Sequence, residues 1–422
     1  MTVRSLAAAD SGISTMQTMI DTIGDNVANA NTTGYKATTP QFEDVLTEQL
    51  QPASGASGGL SSTNPAAVGA GVQVAAMNTD FSEGSIVQTG VPSDVAIQGN
   101  GFFVISSAGQ TYYTRDGAFQ LDVNGTLETA SGAQVLGWAP GKPTTGPTGP
   151  LSIPAGLTSP PQETANVTLA GNVDAGAASP VTATSTLYDA QGNTVPLTLT
   201  FTPTGSANQW LLQASLAGSN LFATGVVLTF DSSGQLASYS VDGGPTTPVG
   251  AGGASVASTR ALPAGYQWNE SAINFVLPAP SSPAALTQFA QGSTVAVGEQ
   301  DGYGAGTIES YSIGATGTIT GAFTNGQTQQ LGTIALATFT NPSGLENNGN
   351  LEYQETAASG RPLVGTAGTG GRGTLLGGAL EQSNVQLASQ LTSLIEAQTD
   401  YEADTKVIAT TQTVLQALVT NA

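Results

Sequence analysis

The sequence predicts a mainly β protein with terminal α-helices: paired N- and C-terminal coiled-coil helices, a discontinuous β domain between them, and an outer β domain inserted into that one. Three observations lead there. Leu6, Ile13, Ile20 and Val27 near the start, and Leu380, Leu387, Leu394, Tyr401, Ile408 and Leu415 near the end, recur every seven residues. That period keeps one apolar edge on one side of a slightly underwound helix. The chain between the ends is made of short alternating strands and turn dipeptides. Two proline clusters bracket its middle, and the texture before the first returns after the second.

In chain order, residues 3 to about 30 read as a helix, with Ala9, Met16, Ile23 and Ala30 three residues beyond the first seam. Gly12 and Gly24 weaken it by about 1 kcal/mol each relative to Ala. NVANANTTGYK ends it, with Asn29, Asn31 and Gly34 as stop and turn residues. Residues 36–71 are expected to be a linker, with a short helix at 42–50. From Val72 the texture is β: AIQGNGFFVIS, QTYYTRDGAFQLDVNGTLETASG and AQVLGW are strands joined by turns such as Asn100-Gly101 and Asn124-Gly125. Pro140, Pro143, Pro147, Pro150, Pro154, Pro160 and Pro161 end this sheet.

A second β unit follows, in which VPLTLTFT places Leu197, Leu199 and Phe201 on one face and Thr198, Thr200 and Thr202 on the other. Pro278, Pro280 and Pro283 close it, and TIESYSIGATGTITGAF and LGTIALATFTN resume the first β texture. The expected division is a helical domain at 1–35 and 375–422, linkers at 36–71 and 360–374, an inner β domain at 72–145 and 298–359, and an outer β domain at 146–297. No proline or glycine follows Gly378, so helix is expected over 377–422. A second, broken seam of Leu391, Gln398, Thr405, Gln412 and Val419 joins the first, widened by Ile395, Val407, Val414 and Leu418. Glu396, Asp400, Glu402 and Asp404 read as its wet face. A seam at both ends favours a helix-on-helix contact, within one subunit or between subunits, over two amphipathic helices docked separately on a core.

Composition narrows the function. Only 9% of the 422 residues are charged, against about 25% in typical soluble domains. The net charge is −21, with eight basic residues spread singly. This disfavours nucleic acid and anionic membrane surfaces as partners. There is no cysteine and no histidine. Disulfides and thiolate metal sites are thereby removed, along with the commonest general base. MTVRSLAAADSGISTMQTMI is interrupted by Asp10, Ser11 and Gly12 and does not read as a cleaved secretory signal. No run is long enough to insert in a membrane.

No catalytic, cofactor or metal site is expected. GTGGRG at 368–373 has the letters of a dinucleotide loop but lacks the preceding buried strand, and reads as a flexible swivel. Asp122, Asn124 and Gly125 start like a calcium loop, but no glutamate completes it, so a hairpin turn is expected. Asp94, Asp116, Glu299 and Asp301 could supply carboxylate pairs for glycoside chemistry, though nothing in the sequence makes any two converge.

The two ends together resemble the flagellar rod and hook family of axial proteins. DNVANANTTGYKA is similar to the signature closing that family's N-terminal helix, carried here by Asn26, Asn29, Asn31, Gly34, Tyr35 and Lys36. GGALEQSNVQLASQLTSLIEAQTDYEADTKVIATTQTVLQAL is similar to its C-terminal signature, and YTRDGAFQLDVNGTLETASGAQVLGW to its first β domain. LAGNVDAG with TSTLYDAQGNTVPLTLTFTP resembles the domain that sets the hook branch apart from the shorter rod proteins. The resemblance implies a homopolymer: an extracellular tube with the helices innermost, exported by the flagellar type III apparatus without a cleaved signal. It also implies growth under a hook cap, a distal rod protein below, a hook–filament junction protein above, and torque transmission through a bending universal joint. A distal rod-type protein, a secreted surface fibre or adhesin, and an exported carbohydrate enzyme are the alternatives.

Overall fold

The computed structural model describes residues 2–45, 48–51, 53 and 64–420. Residues 46, 47, 52 and 54–63 of the expected linker, and the side chain of Leu418, lie outside this description. The chain divides into two compact units, one of Met1–Ala155, Tyr311–Gly321 and Gln330–Ala422, the other of Gly156–Ser310 and Ala322–Gln329.

The first unit holds both helices, α1 (Thr2–Ala28) and α2 (Leu387–Thr420). α1 packs on α2 and on a two-stranded antiparallel ribbon of Thr38–Asp44 and Val72–Thr79. The helix expected at 42–50 is therefore strand, in Thr38–Asp44 and again in Glu48–Gln51. Without a periodic apolar face there, the backbone is satisfied by cross-strand pairing instead. In the main sheet Gln134–Trp138 pairs with Phe102–Ser107 on one side and with Thr328–Ile334 on the other. Residues from before and after the insertion thus share one sheet. Its core is aromatic and edge-to-face: Phe81 lies 5.2 Å from Phe102 and 5.3 Å from Tyr353, and Tyr113 lies 4.8 Å from Phe339.

The second unit is all β. Val181–Tyr188, Thr194–Pro203, Gln209–Leu216, Val226–Phe230 and Leu236–Val241 form an antiparallel meander. A smaller sheet centres on Asn166–Asp174, with Asn274–Leu277 and Leu286–Phe289 parallel to it. Leu197, Leu199 and Phe201 are fully buried, together with Leu212, Leu228 and Phe275.

The C-terminal helix begins later than its lack of glycine suggests. Thr374–Gly377 pairs with Val95–Gln98, and Ala379–Glu381 pairs with Ile86–Gln88. Leu380 is therefore a strand residue and not the first rung of the helical seam. Gly378, at φ 69°, turns the chain between those strands. The GTGGRG segment is a braced turn and not a swivel: Arg372 donates to the Thr366 carbonyl at 3.0 Å, the Leu363 carbonyl at 3.2 Å and Thr369 Oγ1 at 2.9 Å.

Candidate assembly interface

α1 and α2 run antiparallel within one chain, since Gly12 lies against the Asp404 carboxylate and Asn26 Nδ2 reaches Gln390 Oε1 at 3.3 Å. On α2 the line turned away from solvent is Leu394, Ala397, Tyr401, Asp404, Ile408, Thr411 and Leu415, at alternating steps of three and four, with Gln390 and Ser393 also half-buried at its start. The seam at Leu394, Tyr401, Ile408 and Leu415 is thus half-buried as a line. Its companion is Ala397, Asp404 and Thr411, and not the expected Leu391, Gln398, Thr405, Gln412 and Val419, all of which are exposed. Small and polar side chains take the inner position because α1 approaches there through Gly12. A Cβ at Gly12 would collide with Asp404, so Asp404 belongs to the contact and not to the wet face. Leu387, at the start of α2, is exposed.

On α1, Ala9 and Ile23 are buried, and Leu6, Ile13, Met16, Ile20 and Val27 are half-buried. Ala30 falls beyond the helix end. Thr15, Thr22 and Asn26 are as buried as the apolar positions. Thr15 Oγ1 donates to the Gly12 carbonyl at 2.8 Å and Thr22 Oγ1 to the Thr18 carbonyl at 2.7 Å, so their hydroxyls are satisfied inside the helix. A hydrophobicity pattern does not see such residues.

The helices leave the β layer through a polar junction. Asn26 Oδ1 accepts from the Thr38 N–H at 3.0 Å and from the Tyr35 hydroxyl at 3.1 Å, while its Nδ2 donates to the Thr38 carbonyl at 2.8 Å. Burial, with Asp25 nearby, pushes the Tyr35 hydroxyl pKa up. Asn29 accepts from Thr32 Oγ1 at 3.0 Å beyond the last turn, and Asn31 is exposed. Asn384 accepts from the Ala37 N–H at 2.8 Å and donates to the Asp80 carbonyl at 2.8 Å, which ties the approach to α2 to the exit from α1.

At the centre of this junction lies an ion cluster with no solvent exposure at Lys36 or Glu381. Lys36 Nζ sits 2.5 Å from Glu381 Oε1 and donates to the Ser82 carbonyl at 2.7 Å. Arg115 Nη1 reaches Glu381 Oε2 at 3.3 Å, Nη2 donates to the Gly99 carbonyl at 2.9 Å, and the guanidinium lies over Phe102. The Glu381 backbone carbonyl accepts from the Gly34 N–H at 2.8 Å. Burial drives the pKa values of Lys36 and Arg115 down, and Glu381 draws them back. One carboxylate just before α2 therefore holds two cations from separate parts of the chain, which fixes where both helices meet the sheet. Glu381 and Arg115 were missed by the sequence reading. Their signal was weak: Arg115 is one of eight bases, and Glu381 follows an apolar residue.

Other candidate groups serve the loops. Asp116 accepts from the Ala118 N–H at 3.0 Å, Asp94 from Thr89 Oγ1 at 2.6 Å, and Asp301 from the N–H groups of Ala165 and Asn166 at 2.9 Å each. Burial, with Asp94 beside it, raises the Asp116 pKa. Asp122 closes a hairpin turn, accepting from Asn124 and Thr126.

Four family models match along the chain: a flagella basal body rod protein model at 6–36, the flagellar hook protein FlgE/F/G D1 domain at 96–175, the flagellar basal body protein FlaE D2 domain at 163–303, and the flagellar basal body rod FlgEFG protein C-terminal model at 376–421. The flagellar hook protein FlgE of Treponema pallidum is 35% identical, covering 98% of both chains. The chain belongs to the flagellar hook protein family. The hook proteins of Borreliella burgdorferi and Escherichia coli K12 are each 33% identical, covering 99% and 98% of this chain and 99% of their own lengths. The match runs through the inserted domain, so this member of the hook protein family is a structural subunit of the hook and not a rod-type protein or an adhesin. Among solved structures, the Helicobacter pylori flagellar hook protein FlgE2 is similar over 68% of this chain at 15% identity and a TM-score of 0.46, too weak to bear on the fold.

Proposed function

We propose that the chain self-assembles into a tube through the α1/α2 pair, built on Leu6, Ile13, Met16, Ile20, Ile23, Val27, Leu394, Tyr401, Ile408 and Leu415, with the outer faces of α2 as the contact between subunits. One observation carries this. Leu391 and Ile395 are 50% and 65% exposed on one flank of the intrachain seam, and Val407 and Val414 are 41% and 49% exposed on the other flank, further along the helix. Offset patches on opposite flanks suit a head-to-tail contact that continues from copy to copy, whereas a single self-complementary patch closes a dimer. Ile395→Asp tests it. The substitution touches no packed core, so monomer stability stays within about 0.5 kcal/mol of the parent. Tube formation, counted by electron microscopy, falls at least about tenfold. Assembly of Ile395→Asp at the parent's critical concentration contradicts the reading.

The same reading gives the chain a hook location and its other partners: the distal rod protein, the hook–filament junction protein, the hook cap and the flagellar type III export apparatus, with export needing no cleaved signal. The tube would transmit motor torque while bending, without catalysis. The proposed domains are a terminal helical domain of 1–35 and 375–422, which carries α1 and α2, linkers at 36–71 and 360–374, an inner β domain at 72–145 and 298–359, and an outer β domain at 146–297. The compact unit of Gly156–Ser310 supports the position of the insertion.

A further inference from the structure

Val123 is 99% exposed, at the tip of the hairpin that joins Gln120–Leu121 to Leu127–Glu128. Scattered exposed apolar side chains are ordinary, but this one stands on a pinned turn. Asp122 Oδ1 accepts from the N–H groups of Asn124 at 2.8 Å and Thr126 at 2.6 Å, and the Ile153 N–H donates to the Gly125 carbonyl at 2.6 Å. The bonds from Thr126 and Asn124 hold the Asp122 carboxyl below the usual carboxylate range, so the tip offers one isopropyl group beside one fixed negative charge.

The same unit carries a cavity of complementary character. Trp138 Nε1 donates to the Gly146 carbonyl at 2.9 Å and props up the loop that follows it. Trp138, Pro143, Pro147, Thr148 and Pro150 line an open, largely apolar pocket of about 400 Å³. Lys142 completes its wall, exposed and with no partner for its ammonium group among the described residues.

We propose that the Val123 tip of one copy seats in the Trp138 pocket of a neighbouring copy, with Asp122 facing Lys142. Tip and pocket are different patches, so the contact is head-to-tail and continues along an assembly, as the α2 flanks do. It rests on the self-assembly reading above. In a chain of net charge −21 with eight bases, a free lysine beside an apolar cavity selects an apolar group flanked by an acid.

The natural absence of cysteine makes the test direct. Full-length Val123→Cys and Thr148→Cys chains are mixed, assembled and mildly oxidised. A reducible dimer should form in the mixture, and neither variant should cross-link when assembled alone. In parallel, Val123→Ser should raise the critical concentration about tenfold, as loss of one buried valine predicts, with Tm unchanged because Val123 has no packing to lose. Val123→Leu should restore assembly. Tubes that form without the mixed cross-link, or a Val123→Ser chain that assembles like the parent, overturn this contact and leave the polymer intact. A Thr148→Cys thiol shielded on assembly without cross-linking to position 123 assigns the pocket to another segment and also overturns it. A parent chain that never forms tubes overturns the polymer reading, and this contact with it.

Discussion

At the residue scale the decisive group is Glu381, because two buried cations depend on it. Removing one partner from a buried ion cluster leaves a charge that burial penalises, and such losses run to about 3–5 kcal/mol. Glu381→Gln should therefore lower the unfolding free energy, read from urea denaturation, by that amount. Lys36→Met should cost only about 1–2 kcal/mol, since Glu381 keeps Arg115 and the Gly84 N–H. Equal losses for the two variants would show that the carboxylate is not the hub. Tyr113 and Tyr353 supply a second test, because burial pushes both hydroxyls up to about 12. The folded chain thus holds these protons more tightly than the unfolded chain, whose tyrosines ionise near 10. Each contributes stability that is complete below about pH 10 and is lost as pH rises through 12. Stability measured from pH 9 to 12 should fall, and Tyr113→Phe should flatten that fall; an unchanged slope would place the alkaline sensitivity elsewhere.

At the element scale the helix pair is narrow. α1 contacts the ribbon as well as α2, whereas α2 packs mainly on α1 among the described residues and keeps Leu391, Ile395, Val407 and Val414 in water. Helix stability in proteins comes mainly from the packed face, so α2 should open easily until other copies cover its flanks. Amides across residues 400–415 should exchange at least about a hundredfold faster in dilute monomer than in tubes. Equal protection in both states would mean that the intrachain seam alone holds the helix. The inner line is Ala397, Asp404 and Thr411 and not Leu391 with its heptad repeats, although both lines share the same period. Opposite Gly12 there is room for small groups only, and hydropathy does not measure room.

At the scale of the whole molecule charge dominates, with 29 acids against eight bases. Two of those bases, Lys36 and Arg115, are spent inside the junction and cannot offset repulsion between copies. Packing many acidic subunits multiplies their repulsion, and at physiological ionic strength screening acts beyond about 8 Å. Assembly should strengthen with added salt, and again as pH falls toward the sequence pI of about 4.1. The measurement is the critical monomer concentration against NaCl at neutral pH, with tubes counted by microscopy so that precipitation is not mistaken for them. A concentration that rises with salt would show that ion pairs between subunits outweigh the net repulsion.

The sequence by itself determined the mainly β class, the two terminal helices and the insertion, because these rest on local periodicity and turn chemistry that neighbouring residues set together. It also carried the family, through signatures long enough to be specific. Tertiary structure decided which side of each helix is the inside, where α2 begins, and what joins the ends to the sheet. Those depend on partners far apart in the chain. Gly12 selects Asp404, strand pairing through Leu376 and Leu380 delays the helix to Leu387, and Glu381 draws in Lys36 and Arg115. A buried charge is permitted only where its counter-charge arrives, and that arrival is a property of the fold and not of any stretch of sequence.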